Sequence, residues 1–436
     1  MDDLPDLNNV YDTITTNDFL QIAEKEDLQE FLLSQIYEFM TSQPHSIAEE
    51  NFYSLLQEYL EEEISLLIEN FPINEVLLEE IEQLVEDCIG IYFTTIEPPR
   101  SYPTSEIIKS FNNNIIQKQL SYLRSLPQPV QRTPEWYTFR HNLITASNAY
   151  KAFENECSRN QLIFEKCKPL VIEDNSVQKF VNTESTLHWG QKYEPLSVLF
   201  YEHMYNTKIE DFGCIQHKQY TFLGASPDGI NVDENNPRFG RMLEIKNIVN
   251  REITGIPKKE YWIQMQLQME VWELDECDFL ETKFDEFESS QQYEEDTTSI
   301  LKGVILYFNS KTGVPHYIYK PFDIKDSNQL DEWQEQQINE MEKKDCIWIR
   351  NIYWKLSQYS CVLVPRNKQW FMRNVPQLID TWNTILQERE SGYEHRQAKK
   401  RTKTNPESDT QPEVTMNMGS GCLLNLDKET NSISLK

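Results

Sequence analysis

Apolar residues recur at three- and four-residue spacing through FLLSQIYEFM (31–40), YSLLQEYLEEEISLLIENF (53–71) and EVLLEEIEQLVEDCIGIYF (75–93). That is the period of helices with one face turned inward. Pro44 and Pro72 punctuate them, so the pattern predicts a helical region over 19–97. EPPRSYPTS (97–105) breaks the pattern and reads as a linker, followed by a helical stretch to Leu126. From Arg132 the pattern becomes mixed. Strands are predicted at YTFLGA (220–225), RMLEIKNIV (241–249), GVILYF (303–308) and HYIYKPF (316–322). Helices are predicted at PLSVLFYEHMY (195–205), YWIQMQLQMEVWEL (261–274) and the long segment 330–356. Beyond about residue 390 periodicity is lost. A basic run, RQAKKRTK (396–403), leads into a Ser/Asn/Thr-rich tail that reads as disordered. The expected organisation is therefore a helical domain (1–96), a proline-rich linker and helix (97–131), an α/β domain (132–388) and a tail (389–436).

Charge sharpens that division. The 436 residues carry 41 Lys and Arg against 71 Asp and Glu, a formal net charge of −30. Residues 1–100 hold 24 of the acids and two bases, Lys25 and Arg100, whereas the remainder holds 47 acids and 39 bases. An acidic appendage can mask a nearly balanced domain with a local basic groove, so the total does not exclude a polyanionic partner. The eight cysteines form no C-x-x-C pair, which argues against zinc and disulfides and for reduced thiols. No run of 18 apolar residues exists, so no membrane partner is expected. The acidic start MDDLPDLNNV lacks the apolar core of a signal peptide. The expected compartment is the cytoplasm or nucleus.

Candidate chemistry lies between Glu194 and Gln264. SPDG (226–229) follows a strand, and LEIK (243–246) lies in the next one. Alternation along that strand puts Glu244 and Lys246 on one face, with Leu243 and Ile245 on the other. A turn carboxylate beside E-x-K brings two anionic ligands and an ammonium to one point. That set suits a hard divalent ion such as Mg²⁺, which polarises a phosphodiester and generates hydroxide near neutral pH. Alone, the pair is weak: Asp-Gly is a common hairpin turn, and Glu and Lys two apart often form a solvated ion pair. Its neighbours add weight. In HWGQKYEP (188–195), Glu194 stands where an apolar helix is expected to open. Tyr261 and three glutamines, Gln264, Gln266 and Gln268, lie on an apolar helix where buried amides need partners. In WYTFRHNLITASNAY (136–150), Arg140 and Ser147 form a sensible phosphate clamp.

The order W-x₃-R-x₄-TAS, WGxxYE, SPDG, LEIK, YxxQxQ resembles the lambda exonuclease, or YqaJ-like viral recombinase, branch of the PD-(D/E)xK nucleases, over about residues 132–275. The resemblance implies a restriction-endonuclease-like α/β core, a mixed central sheet flanked by helices, behind the all-α acidic extension. It implies Mg²⁺ at one or two positions, replaceable by Mn²⁺, held by Asp228, Glu244 and the carbonyl of Ile245. Glu194 is then an additional acidic group, Lys246 the catalytic lysine, and Gln264 a helix residue near the active centre beside Tyr261. Arg140 and Ser147, joined by Ser226, would hold a 5′-phosphate. The implied activity is 5′-to-3′ digestion of double-stranded DNA from free ends, alongside a single-strand annealing protein, in viral recombination or repair. A viral replication site in the host cell would be its setting. The acidic extension, the segment DEFESSQQYEEDTT (285–298) and the tail depart from the phage pattern. They can block or replace the interface of the phage enzyme's ring-shaped trimer. Only in architecture does the combination resemble exonuclease-like proteins of large eukaryotic DNA viruses. Two alternatives stay open: a structure-selective endonuclease on the same core, and a non-cleaving interaction protein that uses its acidic N-terminal region.

Overall fold

The computed structural model describes residues 22–68, 75–105, 113–171, 182–397, 424–427 and 432–435. The chain divides into two compact units, Met1–Gln397 and Ala398–Lys436. The first opens with three helices, α1 (Ile22–Ser42), α2 (Phe52–Ile68) and α3 (Glu75–Thr95). Their periodic residues Leu32, Ile36, Phe52, Leu56, Leu60, Val85 and Tyr92 are buried, while acids such as Glu61 and Glu62 stay exposed. The buried face joins one continuous apolar cluster with the α/β region. The stretch read as a linker is packed too. Glu97 and Arg100 are buried. Arg100 donates to the carbonyls of Ala48, Glu49 and Pro257, and its own carbonyl accepts from Trp262 Nε1 at 3.1 Å. Strand β1 (Tyr102–Pro103) pairs with Leu363 and Val362.

The elements that follow are α4 (Asn113–Ser125), α5 (Pro134–His141), β2 (Ile144–Thr145), α6 (Ala146–Ala149), α7 (Glu156–Cys167), α8 (Thr186–Tyr205), β3 (Ile209–Glu210), β4 (Ile215–Gln216), β5 (Leu223–Ala225), β6 (Gly229–Asn231) and β7 (Met242–Asn247). Then come α9 (Lys259–Trp272), β8 (Glu276–Glu286), α10 (Ser290–Glu295), β9 (Lys302–Ser310), β10 (Pro315–Tyr319), α11 (Ser327–Glu342), β11 (Cys346–Pro365) and α12 (Lys368–Ser391). The main sheet runs β10-β9-β11-β8-β7-β6-β3, with β1 on β11. β7 and β8 are parallel and its other pairs antiparallel, so the sheet is mixed, as expected. A parallel pair needs a crossover, and α9 supplies it. From Trp262 to Trp272 every residue of α9 except Gln264 is buried, the mark of a helix enclosed on all sides. A smaller sheet, β2-β5-β4, lies beside it in sequence and carries the residues just ahead of Ser226.

Two further expectations are corrected. Segment 330–356 is not one helix: α11 stops at Glu342, and Cys346–Pro365 forms the long strand β11 between β9 and β8. CIWIRNIYW is rich in β-branched and aromatic residues, which suit a pleated surface, and Asp345 at φ 60° breaks the helix. Glu194 does not open a helix either. α8 begins at Thr186, where the Ser185 side chain caps the His188 amide at 3.2 Å, and carries Pro195 within it. The proline that reads as a start signal is absorbed mid-helix. In the second unit, Leu424–Asp427 and Ser432–Leu435 pair antiparallel. Of the basic run, residues 398–403 lie outside the described residues, as do 19–21 of the helical reading and most of the tail.

An ion cluster is buried at β7 and β8. Asp278, buried on β8 opposite Leu243 of β7, accepts from Tyr201 Oη at 2.6 Å, Thr104 Oγ1 at 2.9 Å and Arg241 Nη1 at 3.0 Å, and also pairs with Arg238. A buried carboxylate is tolerable when its lone pairs are filled this way, and removing it leaves buried positive charge under-compensated. Asp278→Ala should therefore destabilise the fold by about 3 kcal/mol. Thermal melting checks this, and an unchanged midpoint would contradict it.

Candidate active site

Glu244 is fully buried in the middle of β7, and its carboxylate is held from the crossover helix. Gln264 Nε2 donates to Oε1 at 2.7 Å and Gln268 Nε2 to Oε2 at 2.7 Å. Positions four apart share a helix face, so these two glutamines reach Glu244 together. Gln266, between them, points elsewhere, donating to the Pro365 carbonyl and accepting from the Asn367 amide. Lys246, two residues along β7, turns to the same side as Glu244, as strand alternation requires. Its ammonium pairs with Glu244 Oε1, lies 3.4 Å from Gln264 Oε1 and stands 4.9 Å from the centre of the Tyr261 ring. Tyr261 thus cradles the lysine, with Arg251 5.7 Å from the same ring.

Asp228 comes from the turn between β5 and β6. Its amide donates to the Leu243 carbonyl at 3.1 Å, and its Oδ2 accepts from the Ile245 amide at 2.7 Å. An extended residue turns N–H and C=O to the same strand edge, so the Ile245 carbonyl shares the edge that faces Asp228. Ser226 offers its carbonyl to Gln268 at 3.0 Å, tying this turn to α9. Glu194, from α8, borders the same cleft as Asp228 and Ser226, a space of about 790 Å³ also walled by Trp136, Asp211 and Cys214.

The electrostatics are those of too many carboxylates for one ammonium. Burial first, and the charge of Glu244 second, push Asp228 well above the ordinary carboxylate range. The same two causes raise Glu194. Burial opposes the charge on Lys246, but Glu244 and Asp228 outweigh it and its pKa rises, so the lysine stays protonated. Excess negative potential in an open cleft favours a cation, and oxygen donors favour a hard one. Asp228 and Glu244 fit that role. Among the described residues, no three His, Cys, Asp or Glu side chains draw close enough to make a finished ligand set. Glu194 stands as a flanking carboxylate.

Arg140 lies in the last turn of α5, its guanidinium 4.6 Å from the Trp136 ring and 4.0 Å from Cys214 Sγ. Since Trp136 and Cys214 wall the cleft, the arginine stands at its side. Ser147 is exposed on α6 and pairs with Thr145 Oγ1 at 3.3 Å rather than with Arg140. The sequence pattern leaves Gln268 undistinguished from Gln264 and Gln266, although its i, i+4 spacing from Gln264 already puts those two amides on one helix face. Replacing Glu244 by Gln removes the neighbouring negative charge and frees Lys246. Asp228 and Glu194 should then both titrate at lower pH, measurable by carboxyl ¹³C NMR. Unshifted midpoints would refute this electrostatic account.

The YqaJ-like viral recombinase domain matches residues 135–275. A curated relative, the uncharacterized protein R354 of Acanthamoeba polyphaga mimivirus, is 29% identical over 338 residues, covering 68% of this chain and 60% of that protein. The chain thus spans about 60% of the length of the curated relative it matches. Among solved structures, an alkaline exonuclease (LHK-Exo) from Laribacter hongkongensis covers 60% of this chain and 95% of its own, at 18% identity and a TM-score of 0.34. The same protein in complex with dAMP matches with a TM-score of 0.32 at 19% identity, over 60% of this chain and 95% of its own. No helix among the described residues is long and apolar enough to cross a membrane. The match to the YqaJ-like viral recombinase domain spans the cleft carboxylates, Lys246, Gln264, Gln268 and Arg140, so the candidate site lies within the part of the chain that is similar to that family.

Proposed function

We infer that this chain is a divalent-metal-dependent deoxyribonuclease that digests double-stranded DNA from free ends in the 5′-to-3′ direction. The observation that carries the reading is the buried Glu244, locked by Gln264, Gln268 and Lys246 beside Asp228 on an open cleft, within a YqaJ-like domain. Asp228 and Glu244 would hold Mg²⁺ or Mn²⁺, with the Ile245 carbonyl on the facing edge and Glu194 flanking. Such an ion, when bound, supplies Lewis acidity toward a phosphodiester oxygen.

The chain's own residues do the rest. Lys246, kept protonated, orients an attacking water and offsets charge developing on phosphorus. Gln264 and Gln268 fix both oxygens of Glu244, so its geometry is set before substrate arrives. The Ile245 amide does the same for Asp228. Arg140, whose guanidinium touches a thiol and a ring rather than a carboxylate, retains donors for a terminal phosphate. The 3′ single strand left behind is a substrate for an annealing protein, the partner this reading implies in viral recombination.

The test is digestion of 5′-end-labelled linear duplex. Label should be released with Mg²⁺ and not with chelator, and covalently closed circular duplex should remain intact. Cutting of the circle would replace the exonuclease with an endonuclease. Lys246→Ala should lower turnover at least about 100-fold while duplex binding persists; unchanged turnover would remove the lysine from the chemistry. Arg140→Ala should erase the preference for 5′-phosphorylated over 5′-hydroxyl ends, and equal losses on both substrates would defeat that assignment.

A further inference from the structure

Three cations from three separate helices meet behind one wall of the cleft, and among the described residues none stands in an ion pair. Arg140 is in the last turn of α5, Lys166 in the last turn of α7 and Arg389 in the last turn of α12. Lys166 is buried, and its Nζ donates to the Arg140 carbonyl at 2.8 Å. Arg389 donates to the Lys166 carbonyl from Nε at 3.0 Å and Nη2 at 2.8 Å, to the His141 carbonyl at 3.0 Å and to Asn142 Oδ1 at 3.2 Å. Lys166 and Arg389 thus direct these donors to the α5–β2 turn and the last turn of α7. Arg140 is the reverse: its backbone is latched and its guanidinium tip stays open beside Cys214 and Trp136.

A buried ammonium without a carboxylate is costly to the fold, and carbonyl dipoles compensate it only in part. An anion arriving at Arg140 would complete the compensation. A guanidinium fits two phosphate oxygens in one plane. A phosphomonoester carries nearly two negative charges at neutral pH, one more than an internal phosphodiester. A second cation behind the first therefore favours a strand terminus over the strand interior.

We propose that Lys166 and Arg389 are positioning residues that aim Arg140 at the phosphomonoester of a duplex end, with Lys166 supplying the additional buried positive charge that distinguishes an end from the interior. This deepens the nuclease reading and rests on it. Arg389 lies outside the matched span 135–275, so the device joins the C-terminal helix to that domain.

The groups facing Lys166 are Arg140 from α5, Arg389 from α12, Cys214 ahead of β4 and Glu165 on its own helix. Burial first, then Arg140 and Arg389, bring its pKa down to about 8. Burial pushes the Cys214 thiol up. The phosphomonoester is already doubly ionised above about pH 7. Between about pH 7 and about pH 10 the lysine is therefore the group expected to change charge.

The experiment uses the full chain in chelator, so that binding is read without cleavage. Fluorescence anisotropy compares 5′-phosphorylated with 5′-hydroxyl duplex from about pH 7 to about pH 10, for the wild type, Lys166→Met, Lys166→Arg and Arg389→Met, with melting curves for each. The wild type should favour the phosphorylated end by roughly tenfold at the low end, the advantage falling with a midpoint near 8. Lys166→Met and Arg389→Met should show little advantage at any pH. Lys166→Arg, which cannot lose its charge in this range, should keep the advantage and flatten the decline. A wild-type advantage that is constant with pH, or a Lys166→Arg profile that falls as the wild type's does, would overturn the proposal even if the methionine variants fold poorly. A parallel Mg²⁺ digest separates the two claims: cleavage without an end preference defeats this inference alone, whereas no cleavage by the wild type defeats the nuclease reading.

Discussion

A carboxylate buried in the middle of a sheet must be paid for in hydrogen bonds, and that constraint organises the molecule around Glu244. The two amides and one ammonium that satisfy it come from α9 and from the next inward position of β7. The amides require α9 to lie across β7 with one face toward it, which is the position of a crossover helix between two parallel strands. Asp228 is drawn in by the same strand, through the Leu243 carbonyl and the Ile245 amide. The site is thus built mainly from backbone-anchored elements rather than from mobile loops, which is how a constellation is held to the tolerance that chemistry needs.

The acidic N-terminal helices take part in this support. The segment just after α3 sends Arg100 to the carbonyls at 48, 49 and 257, and Trp262 of α9 returns a bond to it. Lys259, at the start of α9, pairs with Glu49 at 2.7 Å. Glu97 is bound by Arg373 and Asn367, at and near the start of α12. The helix that presents Gln264 and Gln268 is consequently braced at its N-terminus by the appendage and along its length by both sheets. The strongly negative module is accommodated because its charged face points to solvent while its apolar face is shared with the core.

Much of the site was legible from short-range pattern. Alternation in LEIK placed Glu244 and Lys246 on one side without reference to anything distant, and the four-residue step from Gln264 to Gln268 placed both amides on one helical face. The three misplaced features were decided at longer range. The strand at 346–356 reads as a continuation of the preceding helix until β8 and β9 are available on either side of it. Pro195 reads as a helix start until Ser185 caps an earlier one. The 97–105 stretch reads as a linker because its prolines are local, whereas the partners that bury Glu97 and Arg100 lie up to 276 residues away.

Local order thus declared the residue types, the strand and helix faces and the order of the chemical motifs, because these depend on periods of two and 3.6 that neighbouring residues share. Which of those faces meet was set by packing. The closing of Gln268 onto Glu244, the latch of Lys166 and Arg389 behind Arg140, and the docking of the acidic helices each join residues far apart along the chain, and no periodicity encodes such a pairing. Burial settles it, since a charge taken out of water accepts only the arrangement in which its partners arrive with it.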